Sequence, residues 1–239
     1  MKHQYVGDVN DYGKYALLRA LAAGGANRIG VCWMLTPDGG LDGGKLAYLG
    51  QPERYRHFDP DLFDLLKRAS AEPDWRRLDT IEASGAIPSA TYFNEQVPVG
   101  IEPRSAFFER ARTALAQCDL VFFDPDTGLD VPSTPITRSD ARKYVFLAEV
   151  ANTYRAGKSV LVYQHFTQNM PRDQLVAQCG ARLRDVAPGA AILAFRTPHV
   201  FFLLGLHPAS PGSLHDAVTA AANRWSDKSH NVVRLHPDN

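Results

Sequence analysis

The chain has little of what usually betrays a function. Its 239 residues include three cysteines, Cys32, Cys118 and Cys179. They form no C-x-x-C pair and no even-numbered framework, which excludes a disulfide scaffold and leaves reduced core thiols. There is no excess of charge of either sign, with 26 Lys+Arg against 26 Asp+Glu. That removes the simplest ground for nucleic-acid binding, a strongly basic domain, and leaves room only for a local basic patch. No apolar run reaches about 18 residues, and the opening MKHQYVGDVN has no apolar h-region. A soluble cytoplasmic protein with no membrane partner is the expectation. Repeats, low-complexity tracts and long linkers are absent too, so residues 1–239 are expected to form one domain with a single large core. The glycine-rich TPDGGLDGGK (36–45) lacks the phosphate-loop spacing, because Lys45 is followed by Leu46.

What is present is an alternation of elements. Residues 10–24 have the apolar stripe of a helix, with Asn10 or Asp11 to cap it and Gly24-Gly25 to end it. RIGVCWML (28–35) suits a buried strand and empties into the glycine loop. A helix is expected over 58–71, and weaker strands over 75–84 and 89–97. Then come a helix at 104–117, a strand at 119–124, a helix at 141–157, a strand at 158–166 and a helix at 172–187. Two last strands flank Pro198, and a helix covers 214–225. Strands alternating with helices predict an α/β class: a doubly wound, mostly parallel sheet with helices on both faces. The short connection near Pro198 requires its two strands to be antiparallel.

The most informative stretch is VFFDPDTGLD (121–130), where three apolar residues run into Asp124-Pro125-Asp126-Thr127-Gly128. Asp-Pro followed by glycine makes a turn in any case. At the carboxyl end of a buried parallel strand it also lies where open α/β sheets hold their ligands. The next strand ends in YQHF (163–166), and adjacent strand ends lie about 5 Å apart. Of Gln164 and His165, which alternation sends to opposite faces, His165 is the candidate base or substrate-binding group. Asp124, Asp126 and Asp130 also place three carboxylates within seven residues, a set suited to Mg²⁺. That supports an alternative reading as a metal-dependent nuclease or phosphodiesterase. A non-catalytic binding protein of the same fold is a third.

Two motifs carry a resemblance. GDVNDYGKYALL (7–18) is similar to the opening of the bacterial family that N6-methylates an adenine of large-subunit ribosomal RNA, with Gly7, Asp11 and Lys14 at the family's spacing. Tyr15 stands where that family has histidine. Asp124-Pro125 matches the first half of its strand-terminal tetrad, while Asp126 and Thr127 replace the second proline and the aromatic. The resemblance implies a methyltransferase-like Rossmann fold ending in an antiparallel hairpin, and S-adenosylmethionine held near Asp11, Lys14, Tyr15 and the loop glycines Gly39 and Gly40. It also implies RNA or DNA as partner. Asp124 would then accept a hydrogen bond from the target amine, with Asp126 and His165 beside it, and Tyr12, Tyr15 or Phe166 would stack on the base. On its own, a lysine such as Lys14 in an early helical turn is ordinarily solvated. Asp124, as a strand-end carboxylate, is expected to face an open cleft, so that Asp124→Ala leaves the fold intact.

Overall fold

The computed structural model describes residues 1–37, 44–72, 74–225 and 231–235. Helix α1 (Val9–Ala22) starts at Asp8, whose carboxylate accepts the N–H groups of Asn10 and Asp11, and stops where Ala23 turns left-handed (φ 48°). Strand β1 (Ile29–Cys32) follows. A helical excursion of α2 (Pro52–Tyr55), α3 (Pro60–Ala69) and α4 (Leu78–Ala83) leads to β2 (Thr91–Phe93) and α5 (Ile101–Ala114). Next come β3 (Leu120–Phe123), the short β4 (Gly128–Leu129) and β5 (Tyr144–Val145), α6 (Leu147–Arg155), β6 (Ser159–His165) and α7 (Arg172–Val186). Strands β7 (Ala191–Arg196) and β8 (Val200–Leu206), α8 (Gly212–Arg224) and β9 (Asn231–Leu235) complete it.

The central sheet has the order β2-β1-β3-β6-β8-β7-β9. Strands β2, β1, β3 and β6 pair in parallel. β8 runs antiparallel to both β6 and β7, and β9 antiparallel to β7. The α/β class is therefore as expected. Strands β1 and β3 are buried along their whole length, as parallel strands covered on both faces must be. Alternation sorts their side chains into two cores. Ile29, Val31, Leu120, Phe122 and Leu161 join α1, α3 and α8 on one face. Cys32, Val121, Phe123, Val160 and Val162 join α5, α6 and α7 on the other. In the second core Arg104 of α5 is fully buried and forks onto Glu149 of α6 at 2.5 and 2.9 Å.

Three elements depart from the sequence expectation. The stretch 75–84 contains helix α4 (Leu78–Ala83) rather than a strand: Leu78 and Ile81, three residues apart, are both buried, and that is helical spacing. The helix expected from 141 starts only at Leu147, because Tyr144 and Val145 pair with Gly128 and Leu129. Glu149 then reaches back to the Phe146 N–H (2.8 Å) to open the helix. Finally, β7 and β8 do not end the sheet, since β9 adds to the edge of β7. Among the described residues no helix is long and apolar enough to cross a membrane.

Candidate functional site

The buried stripe of α1 contains charged residues where an amphipathic helix would carry apolar ones. Asp11, Lys14 and Tyr15 share one face with Leu18, Leu21 and Ala22, and all six are buried. That face rests on the carboxyl ends of β1, β3 and β6. Lys14 Nζ donates to Asp11 Oδ1 and to Asp124 Oδ2, each at 2.7 Å. Its ammonium also lies 5.2 Å from the ring centre of Tyr163 and 5.8 Å from those of Tyr15 and Trp33. Asp11 Oδ2 accepts from the Tyr15 hydroxyl (2.9 Å) and the Gly7 N–H (3.1 Å). Two carboxylates thus share one ammonium inside a wall of three aromatic rings.

This overturns two expectations. Lys14 is not solvated; it is 2% exposed. Asp124 does not face an open cleft; it is 1% exposed and joined to Lys14. The cause is charge pairing, since a carboxylate and an ammonium at contact distance can both leave water where neither could alone. Burial pushes the Asp124 carboxyl above its ordinary pKa, and Lys14 opposes that rise. For Lys14, burial works downward, but Asp11 and Asp124 outweigh it and hold the ammonium charged.

Asp126 points elsewhere, to the Met1 amine at 2.7 Å and the Thr36 hydroxyl at 2.6 Å. Burial alone would raise its pKa, but the amine and the hydroxyl prevail and lower it. The Met1 amine also donates to the carbonyls of Met34 and Asp124, both at 3.1 Å. Met34 is left-handed (φ 48°), an uncommon state for a side chain of its size. It lies two residues past the end of β1, and the chain beyond it brings Thr36 to Asp126. Asp130 belongs to a separate place, where it accepts from Leu147 N–H (2.9 Å) and pairs with Arg182 (3.1 Å). The three carboxylates of the Asp-Pro-Asp stretch therefore have three different partners. Among the described residues no group of three or more His, Cys, Asp or Glu side chains is arranged to hold a metal.

On β6, the choice between Gln164 and His165 is resolved by alternation. His165 shares the α1 face with Tyr163, whose hydroxyl lies 3.2 Å from its Nε2. Burial, then the charge of Lys14, lowers its pKa, which favours the neutral imidazole. Gln164 faces the other way and fastens the loop after Asp126, its Oε1 accepting the Leu129 N–H at 2.8 Å. Gly128 (φ 144°) lies so close to the Gln164 amide that any Cβ there would collide with it. Asp124, Asp126 and His165 thus lie at neighbouring strand ends, with Asp11, Lys14 and Tyr15 against Asp124. Gly39 and Gly40 lie outside the described residues. Of the expected base-stacking rings, Tyr15 is sealed in the core, and the Tyr12 hydroxyl donates to the Tyr55 carbonyl (2.9 Å). Phe166 is half-buried. Sequence reading missed Trp33, Thr36 and Tyr163. Only Tyr163 was signalled, by standing two residues before His165 on the same strand face.

Asp8 adds a fourth carboxylate. Burial first, and then Asp11, push its pKa from 3.8 to about 6. A native pKa above the unfolded one means that the native state binds more protons between those values, so stability falls as pH rises from about 4 to about 6. The shift corresponds to at most about 3 kcal/mol. Asn caps a helix as well as Asp does. Asp8→Asn should therefore raise stability above pH 7 by about 1–3 kcal/mol and bring no gain at pH 4. Urea unfolding at both pH values reads this. A loss above pH 7 that disappears at pH 4, where the native carboxyl is already protonated, would mean that the cap requires the charge.

A cavity of about 490 Å³ lies on the opposite face, lined by Phe108, Leu115, Val121, Phe123 and Thr153 among others. It contains none of these charged residues. No protein-family model matches the chain, and no curated protein is significantly similar to it.

Proposed function

We propose that the protein is an enzyme of methyltransferase-like Rossmann architecture, doubly wound and carrying the β7–β8 hairpin, that transfers a methyl group from S-adenosylmethionine to an amino group of a nucleic-acid base. The observation that supports this is the strand order. From β1 the chain moves outward to β2, and from β3 it moves the other way to β6, so the order reverses between β1 and β3. Ligands of open α/β sheets bind outside the strand ends at that reversal. Asp124, the residue after β3 and before Pro125, stands there.

The residues fit the cofactor only in part. Asp11, Lys14 and Tyr15 engage one another and are buried, so they do not fit as direct contacts. Their role in this reading is to hold Asp124. For Asp124 to accept a hydrogen bond from a substrate amine, Lys14 must release one of its two carboxylates. One observation favours a second reading, a non-catalytic binding protein: the sealing of Asp124 at 1% exposure.

The test is thermal unfolding with S-adenosylmethionine and S-adenosylhomocysteine, against Mg²⁺ and Mn²⁺, followed by transfer of labelled methyl to bulk RNA and DNA. A ligand at 100 times its Kd adds about 2.7 kcal/mol, a rise of roughly 5–10 °C for a domain of this size. The expected result is that shift, with transfer lost in Asp124→Asn while the fold persists. No shift and no transfer would support the binding protein. Metal-dependent cleavage lost in Asp126→Asn would support the nuclease.

A further inference from the structure

The carboxyl end of β6 gathers basic side chains that no carboxylate pairs with among the described residues. Lys45, Arg172 and His199 are exposed there, and His165 is half-buried. The backbone brings them together. Phe166 N–H donates to the His199 carbonyl at 3.5 Å, and His165 lies opposite Val200 in the β6–β8 register. The Arg172 guanidinium lies 5.0 Å from the centre of the Phe166 ring, and that of Arg196 lies 5.8 Å from it. Lys45 arrives from the α1 side, where its carbonyl accepts the Val9 N–H at 3.2 Å.

Among the described residues the neighbouring carboxylates are already engaged, Asp126 with the Met1 amine (2.7 Å) and Asp173 with Arg196 (2.6 Å). Among the described residues no carboxylate pairs with Lys45 or Arg172. Helix α7 begins at Arg172 without a side-chain cap, so its first N–H groups open at the same place. In a chain with as many acids as bases, this is a local excess of one sign.

We infer that Lys45, Arg172 and His199, backed by His165, form a binding rim for a phosphate-bearing ligand beside the Asp124 cluster. A phosphate oxyanion takes up the unpaired cationic charge and accepts from the guanidinium fork. The half-buried Phe166 offers a flat ring next to it, on which a nucleobase can stack. The two histidines make the rim pH-dependent. Burial, then Lys45 and Arg172, lower the pKa of His199. Burial, then Lys14, with Lys45 and His199 adding, lower that of His165 against the pull of Asp126. A bound phosphate reverses the sign of that field, so binding takes up protons and tightens as pH falls toward 6.

The inference rests on the reading above only for which end of the sheet works, and its test needs no methyl transfer. Anisotropy of labelled oligothymidylate and oligouridylate of about 12 nucleotides is measured on the full chain at about 50 mM salt, with inorganic phosphate, AMP and ATP as competitors. The expected result is binding that weakens at least tenfold in Lys45→Ala/Arg172→Ala. The salt slope should fall by roughly 1–2, with no such change in the control Lys67→Ala/Arg68→Ala on α3. Binding should tighten several-fold between pH 7.5 and 6, less so in His199→Ala. Oligonucleotide binding identifies a polynucleotide backbone. Displacement of a weak probe by ATP or phosphate, with no length dependence, identifies a small phosphorylated ligand. The inference is overturned when no phosphate-bearing probe binds, or when the rim double variant binds as the control does.

Discussion

Lys14→Met should destabilise the protein by about 3–5 kcal/mol at neutral pH, the range seen when one partner of a buried ion pair is removed. Methionine fills most of the volume, so the loss is electrostatic. Asp11 and Asp124, 3% and 1% exposed, would remain without their shared cation. The sign of the pH dependence follows. Without Lys14 the main effect opposing burial at Asp124 is gone, and its pKa goes still higher. The native variant then binds protons that the unfolded chain releases, and it regains stability as pH falls toward 5. The wild type should gain less over the same range, because Lys14 opposes the rise of the Asp124 pKa. Urea unfolding at pH 7.5 and 5 measures the difference. Adding Asp124→Asn to Lys14→Met should recover part of the loss at pH 7.5, since the remaining amide carries no charge. A loss below about 1 kcal/mol, the scale of a solvent-exposed pair, would mean that water reaches the cluster and that the site is open in solution.

The same geometry changes the expectation for Asp124. A cleft-facing carboxylate can become alanine without harm. A carboxylate that holds a buried ammonium cannot, because Lys14 would keep only Asp11 and gain a void. Asp124→Asn, which keeps the volume and an acceptor oxygen for Lys14 Nζ, is the substitution that separates function from folding.

The legibility of this molecule in its sequence follows from the range of each interaction. Strands β1, β3 and β6 are continuous apolar runs, and their burial on both faces follows from that pattern alone. The cap of α1 was expected at Asn10 or Asp11, but Asp8 carries it and both of those residues lie inside the helix as its donors; the convergence of the Asp-Pro turn with the start of α1 was legible. The burial of Lys14 was not read, although a signal existed. Asp11, Lys14 and Tyr15 stand at i, i+3 and i+4 on the stripe that Leu18 and Ala22 continue, so a strictly periodic reading places a charge in the core. The preference of lysine for water argued the other way, and it fails here because the compensating carboxylate lies 110 residues downstream. Asp126 meeting Thr36 across 90 residues, and Trp33 lying over Lys14, are likewise products of the sheet order. The misreadings at 75–84 and 141–146 have a different cause. At 75–84 the helical spacing of Leu78 and Ile81 was passed over, and at 141–146 tertiary pairing with Gly128 and Leu129 decided the outcome.

Arg104→Met is the second large effect expected, again about 3–5 kcal/mol, in the other core. Arg104 Nε and Nη2 donate to Glu149 at 2.5 and 2.9 Å, and its remaining contacts close the carbonyls of Ala141 (3.2 Å) and Tyr144 (2.7 Å). The guanidinium plane lies between the rings of Phe108 and Phe146, with centroids at 5.2 and 4.8 Å. This one side chain therefore ties α5 to the start of α6 and to β5. Methionine would leave the half-buried Glu149 without its cation. Burial already raises that carboxyl's pKa against the pull of Arg104, so the variant, like Lys14→Met, should lose less at low pH. Arg104→Lys should fall between, because an ammonium keeps the charge but cannot fork onto the carboxylate while reaching both carbonyls. The two clusters lie on opposite faces of the sheet and share no partner. Losses at the two clusters should then add within about 0.5 kcal/mol, read from urea unfolding of the pairs Lys14→Met/Arg104→Lys and Asp124→Asn/Arg104→Met and of the four single variants that compose them. A coupling well above that would show that the Asp-Pro-Asp turn, which touches both faces through Asp124 and Gly128, transmits strain between them, and the Arg104 brace would then help to position the candidate site as well as stabilise the fold.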